Sequence, residues 1–113
     1  MHELSIAVSL IELAEEEAER IEGRVCAVHL ELGALSGVVK EALLFAYEIA
    51  CADTPLEGSQ LVIEIVPAVV YCPECDGNRP LESVQLFLCP ECGTPTPMVV
   101  QGKEIQMVAL EVE

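Results

Sequence analysis

Four cysteines set the first constraint on what this chain can do. Cys72 and Cys75, then Cys89 and Cys92, form two Cys-Pro-Glu-Cys pairs with thirteen residues between them. Each pair can close a tight turn that aims two sulfurs at one point. The intervening loop is long enough to bring both turns around one ion, which is what tetrahedral thiolate ligation of zinc requires. The prolines, Pro73 and Pro90, fix φ at the start of each turn. A glycine after the second cysteine, at Asp76-Gly77 and at Gly93, is expected to supply the positive φ that points backbone N–H groups back at sulfur. Disulfide formation within the pairs is the competing chemistry. The remaining two cysteines, Cys26 and Cys51, stand singly in apolar segments, a pattern of reducing compartments.

A second donor set stands at the opposite end of the chain. In Met1-His2-Glu3 the α-amine, the His2 amide and the His2 imidazole offer three nitrogens in fused chelate rings. That set is planar and nitrogen-rich, so it selects Ni(II) or Cu(II) over zinc, and Glu3 can add a further donor. A bulky second residue also disfavours removal of Met1. No phosphate-binding glycine loop, H-E-x-x-H or nucleophile elbow is present, so no catalytic residue and no enzyme are expected. His29, in the middle of an alternating segment, reads as structural or surface-exposed.

Composition narrows the partners. Twenty acidic residues against five basic ones give a formal charge of −15, and a zinc ion held by four thiolates brings it to about −17. Phosphate backbones would be repelled, which excludes nucleic-acid binding through counterion release. Cationic ligands and basic protein surfaces fit better. The 113 residues are 52% hydrophobic and lack Trp, so the expected core is aliphatic. The chain start has no basic n-region or long apolar run, and no segment approaches membrane-spanning length. The expectation is a cytoplasmic protein without membrane insertion.

The elements that must position these groups follow from periodicity. Residues 4–22 read as an amphipathic helix with Leu4, Ala7, Ile11, Ala14, Ala18 and Ile21 on one face, Ser5 as N-cap and Gly23 as stop. Glu16 is placed to pair with Arg20. The wider apolar arc in its first half predicts burial against a sheet. Val25 to Leu32 alternates as a strand, and Val38 to Ala52 reads as a second, largely covered helix. Gln60 to Val66 alternates again, with Leu61, Ile63 and Ile65 to one side. Met98 to Val100 and Ile105 to Val112 flank a turn and look like a hairpin or paired return. Val108, Leu110 and Val112 form an apolar face that should rejoin the first sheet. The predicted fold is α+β: a small mixed sheet with two helices, carrying an inserted zinc-ribbon-like four-cysteine module. The expected domains are 1–67 plus about 105–113, and about 68–104.

The start MHELS, the segment Leu32-Gly33-Ala34-Leu35-Ser36-Gly37-Val38, the two knuckles and the ending Gly102-Lys103-Glu104-Ile105 together resemble the HypA/HybF family of hydrogenase maturation nickel metallochaperones. The resemblance covers the whole chain and rests on the opening tripeptide combined with the double knuckle. It implies a nickel site at Met1, His2 and Glu3, and structural Zn(2+) at Cys72, Cys75, Cys89 and Cys92. It further implies transported Ni(2+) delivered with the maturation GTPase HypB to the hydrogenase large-subunit precursor, with urease maturation proteins as further partners. Some members recruit an additional histidine near the zinc module, and this sequence has none between Cys72 and Glu113. Two other readings stay open on the residues alone. One is a rubredoxin-like or dithiol redox module, which coloured iron-loaded protein would support. The other is a zinc-ribbon protein-interaction adaptor in which His2 is dispensable.

Overall fold

The computed structural model describes residues 3–81, 83 and 86–113. The chain runs α1 (Glu3–Ile21), β1 (Val25–Gly33), α2 (Lys40–Cys51), β2 (Gln60–Val66), β3 (Val69–Cys72), β4 (Gly77–Pro80), β5 (Val99–Gln101) and β6 (Ile105–Val112). Two three-stranded sheets result, one ordered β2-β1-β6 and the other β4-β3-β5. Two compact units divide these elements. The first holds 1–30, 38–64 and 106–113, and the second holds 31–37 and 65–105. The α+β class with two helices, small sheets and a four-cysteine cluster is therefore as the periodicity and cysteine spacing predict.

The first unit has an aliphatic core. Ala7, Leu10, Ile11 and Ala14 of α1 pack with Leu43 and Tyr47 of α2, and Val25, Val28, Leu30 and Leu61 complete the cluster from the sheet. α1 starts at Glu3, so Ser5 lies inside the helix instead of capping it. Its end is set by Glu22, which takes the left-handed conformation (φ 50°) that Gly23 was expected to supply. Arg20 pairs with Glu17 at 3.5 Å, one turn away in the i,i+3 direction, instead of with Glu16. Both partners are largely exposed, so the pair contributes little. The predicted burial of the first half of α1 is only partial, since Leu4, Val8 and Leu13 remain exposed.

In the same core, Ser59 donates to the Leu56 carbonyl at 2.6 Å, which commits its only proton. The Tyr47 hydroxyl, 2.7 Å from Ser59 Oγ, is then the donor of that pair. Burial pushes the Tyr47 phenol well above its ordinary 10.0 and the Cys51 thiol above 9.0. Unfolded chains would release the Cys51 proton near pH 9.0 and the Tyr47 proton near pH 10.0, while the folded unit retains both. Their contribution to stability is complete below pH 9 and declines as pH rises above it. Tyr47→Phe is expected to cost about 1 kcal/mol at neutral pH and to flatten part of this alkaline decline. Urea unfolding of both proteins at neutral and at alkaline pH checks it, and an unchanged alkaline slope would contradict the assignment.

Two strand expectations fail for one reason, the pairing of residues distant in sequence. β5 and β6 do not form a hairpin: β5 pairs antiparallel with β3, whereas β6 lies beside β1. Mutual bonds between Arg24 and Glu113 at one end, and Gly33 N–H to Glu104 O (2.7 Å) at the other, set β6 antiparallel to β1. Along β6 the groups packed on the core are Met107 and Leu110, while Val108 and Val112 are exposed. Ile65 is likewise exposed, so only Leu61 and Ile63 of the predicted β2 face reach the core. α2 is less covered than its composition suggested, with Phe45 65% and Ile49 54% exposed.

Within the second unit, Gly33 does more than end a strand. A Cβ there would fall inside contact distance of the Gly102 carbonyl group and 2.8 Å from Lys103 N. These are backbone atoms that cannot swing aside, and they are fixed further by Leu35 N–H to Gly102 O at 2.7 Å. Gly102 itself has φ 116° and would put a Cβ 2.8 Å from Ala68 Cα. Gly33→Ala is thus expected to destabilise the protein by about 3 kcal/mol, at the upper end for overpacking. A denaturation midpoint equal to that of the parent chain would refute this close approach.

Candidate metal centres

The second unit brings Cys72, Cys75, Cys89 and Cys92 together, with all four Sγ atoms within 4.8 Å of one another. The first knuckle closes the β3–β4 hairpin, where Cys72 pairs with Gly77 and Tyr71 with Asn78. The Cys75 backbone N–H points back at Cys72 Sγ at 3.4 Å, as a metal knuckle requires. The positive φ of this turn falls on Asp76 (49°) and not on Gly77, and the Asp76 side chain makes it tenable by accepting a 2.6 Å bond from the Tyr71 hydroxyl. In the second knuckle Gly93 takes the positive φ (75°) as expected, while Gly93 N–H donates to Cys89 O and Cys89 N–H to Thr94 O, both at 2.9 Å.

The donor set fits zinc. Four thiolates about 2.3 Å from a tetrahedral ion stand ~3.8 Å apart. The Cys72–Cys92 and Cys75–Cys89 sulfur separations are 3.5 and 3.9 Å. Packed against one another, the sulfurs differ in acidity. The hydroxyl and backbone N–H of Thr94 hold the Cys92 thiol down to about 6, and hydrogen bonds with the Cys92 and Cys72 sulfurs push Cys75 up to about 12. Cys72, Cys75, Cys89 and Cys92 would hold a divalent cation as thiolates, whose ionised forms its positive charge would favour. Cys72 and Cys89 are buried and Cys92 is exposed, so the cage is closed on one side only.

Three supporting contacts were not read from the sequence: Thr94 beside Cys92 (Sγ to Oγ1 3.1 Å), Tyr71 on Asp76, and Arg79 on Glu91. Arg79 Nε donates to Glu91 Oε2 at 2.8 Å, tying β4 to the second knuckle. A threonine two residues past the last cysteine and an acid inside its knuckle were the available signals.

Of the amino-terminal donor set, Met1 and His2 lie outside the described residues. Glu3 opens α1, and its Oε2 accepts from the backbone N–H of Val39, the residue just before α2, at 3.4 Å. His29 is half-buried, with Nε2 3.2 Å from Glu111 Oε1 across β1 and β6, consistent with a structural role. Among the described residues no other group of three or more metal-ligating side chains converges, and no helix is long and apolar enough to cross a membrane.

An α+β unit and a second unit built on a four-cysteine cluster define a small metal-binding protein. A family model described as "Hydrogenase/urease nickel incorporation, metallochaperone, hypA" matches residues 1–112. The hydrogenase maturation factor HypA of Roseiflexus sp. (strain RS-1) is 54% identical over 114 residues, covering 100% of this chain and 93% of that protein. The protein of the same name from Geobacter metallireducens is 44% identical, with 100% of both chains covered. The solution structure of the Ni metallochaperone HypA from Helicobacter pylori shares the fold, with a TM-score of 0.70 at 24% identity, covering 99% of this chain and 97% of that one. The chain belongs to the HypA family of hydrogenase/urease nickel incorporation metallochaperones.

Proposed function

We propose that this chain carries Ni(II) on Met1, His2 and Glu3 and delivers it to the nickel–iron hydrogenase large-subunit precursor in the cytoplasm. The maturation GTPase HypB acts with it, and urease maturation proteins are alternative recipients. The observation that carries this reading is the match to a nickel-incorporation family over residues 1–112, the span that includes the Met1-His2-Glu3 donor set. The protein is a carrier and catalyses no reaction of its own.

The chemistry of the two donor sets divides the labour. Four thiolates from Cys72, Cys75, Cys89 and Cys92 make a closed set suited to a resident Zn(2+), which supplies structural cross-linking and no exchange position. An amine, an amide and an imidazole from the first two residues make a set that can be surrendered one donor at a time, which suits ligand exchange onto an acceptor. The bond from Val39 N–H to the Glu3 carboxylate supports this arrangement by anchoring the first turn of α1 near the start of α2.

Protons compete for the amine, the imidazole and the amide, so nickel affinity is expected to fall steeply once pH drops below the imidazole range, about 6.5. Calorimetric nickel titrations of untagged protein from neutral pH down to about pH 5 test this. A flat profile across that range would rule the donor set out.

A further inference from the structure

We propose that the groove between α2 and the open edge of β2 receives an extended, basic and apolar segment of a partner protein, added to β2 as a further strand. β2 stands at the end of the order β2-β1-β6, so among the described residues no strand covers one row of its backbone groups. Such edges are usually blunted by Lys, Pro or a covering element. The β2 sequence Gln-Leu-Val-Ile-Glu-Ile-Val has neither Lys nor Pro, and beside it lies a cavity of about 410 Å³. Leu44, Phe45 and Glu48 line it from α2, and Ser59, Gln60 and Leu61 from the approach to β2 and its start.

The side chains here are those of a recognition surface. Phe45 is one of only four aromatic residues in the chain and is 65% exposed, with Ile49 one turn further on at 54%. Exposed aromatic anchors of this kind dominate binding energy at interfaces. Leu61 and Ile63 point into the core, so an added strand would alternate in the same way. Its apolar positions would meet Phe45 on the helix side, and its opposite face would run beside Val62 and Glu64, both exposed.

Charge decides between occupants. Glu48 and Glu64 flank the edge, and the whole chain carries −15. A second copy would bring the same charge, whereas a segment with Lys or Arg on alternate positions would set a basic group beside Glu64 on its outer face, against a strongly acidic chain. Strand addition supplies affinity through main-chain bonds and specificity through alternate side chains.

The test uses untagged full-length protein and a fluorescein-labelled peptide of alternating Val and Lys, matched in length to β2. Saturable binding by fluorescence polarisation is expected, weakened about tenfold in Phe45→Ala. Slowed hydrogen exchange at β2 amides is expected on binding, with none for a peptide of alternating Val and Glu. His2→Ala should bind the peptide as the parent chain does, so this proposal and the nickel reading fail separately. Absence of saturable binding overturns the proposal. Equal binding by Phe45→Ala, or by a peptide with a central Pro that cannot extend a ladder, overturns it in favour of diffuse attraction to an acidic surface. A concentration-dependent dimer in sedimentation that Phe45→Ala abolishes would give the groove to a second copy instead.

Discussion

Cys72→Ala or Cys89→Ala is expected to release the resident metal and unfold the second unit as a whole. The reason lies in how little else holds residues 65–105 together. Its sheet has strands of only four, four and three residues. Among the described residues of this unit, the buried hydrophobic groups beyond Leu32, Ala68 and Val70 are Cys72 and Cys89 themselves. A three-stranded sheet of this size cannot offset the conformational entropy of its own ordering. Metal binding in comparable small zinc modules contributes about 10–16 kcal/mol, which is also folding free energy. The first unit has its own aliphatic cluster, so the helical signal of α1 and α2 should persist. Metal analysis, circular dichroism and limited proteolysis with mass mapping read all three effects. A metal-free variant that keeps 65–105 protease-resistant would show that the cluster is dispensable for folding.

His2→Ala, or any residue left ahead of Met1, is expected to abolish tight nickel binding while leaving zinc content unchanged. Either change breaks the fused chelate: the first removes the imidazole and the second turns the α-amine into an amide. Losing even an outer-shell partner of a metal site costs about 10- to 100-fold in affinity, and these are proposed direct ligands, so a loss of at least roughly 100-fold is expected. Calorimetry of untagged parent and variant proteins, with zinc measured in the same samples, separates the two sites. Equal nickel affinity in the parent and His2→Ala proteins would remove the amino terminus from the mechanism. Glu3→Gln is informative beside it, because its carboxylate already accepts from Val39 N–H. A large nickel defect there with an unchanged melting temperature would favour a coordinating role over an anchoring one.

Much of the metal chemistry was legible from residue types and spacing alone. Each cysteine pair converges because a two-residue gap fixes a tight turn locally, and the thirteen-residue loop between the pairs is long enough to bring both turns together. α1, β1, α2 and β2 were legible for a similar reason: 3.6- and 2-residue periodicities are local records of one buried face. The misplaced details are turns in which a neighbouring residue, and not the glycine, takes the left-handed conformation. Asp76, held by Tyr71, takes the turn that Gly77 was expected to make, and Glu22 ends α1 where Gly23 was expected to.

What the sequence determined by itself is therefore the two cysteine knuckles and the existence of the elements, since both are encoded within a few residues. Only the tertiary structure decided which strands become neighbours. β5 turned to β3 and not to β6, and β6 returned to the first sheet as its apolar residues predict but took its place beside β1. Gly33 proved to be a point of backbone contact with Gly102, and Phe45 was left on the surface beside an open strand edge. Those outcomes depend on pairings between segments far apart in sequence, as between Gly33 and Glu104 or between Arg24 and Glu113. Periodicity records that a face is covered, but carries no information about which segment covers it.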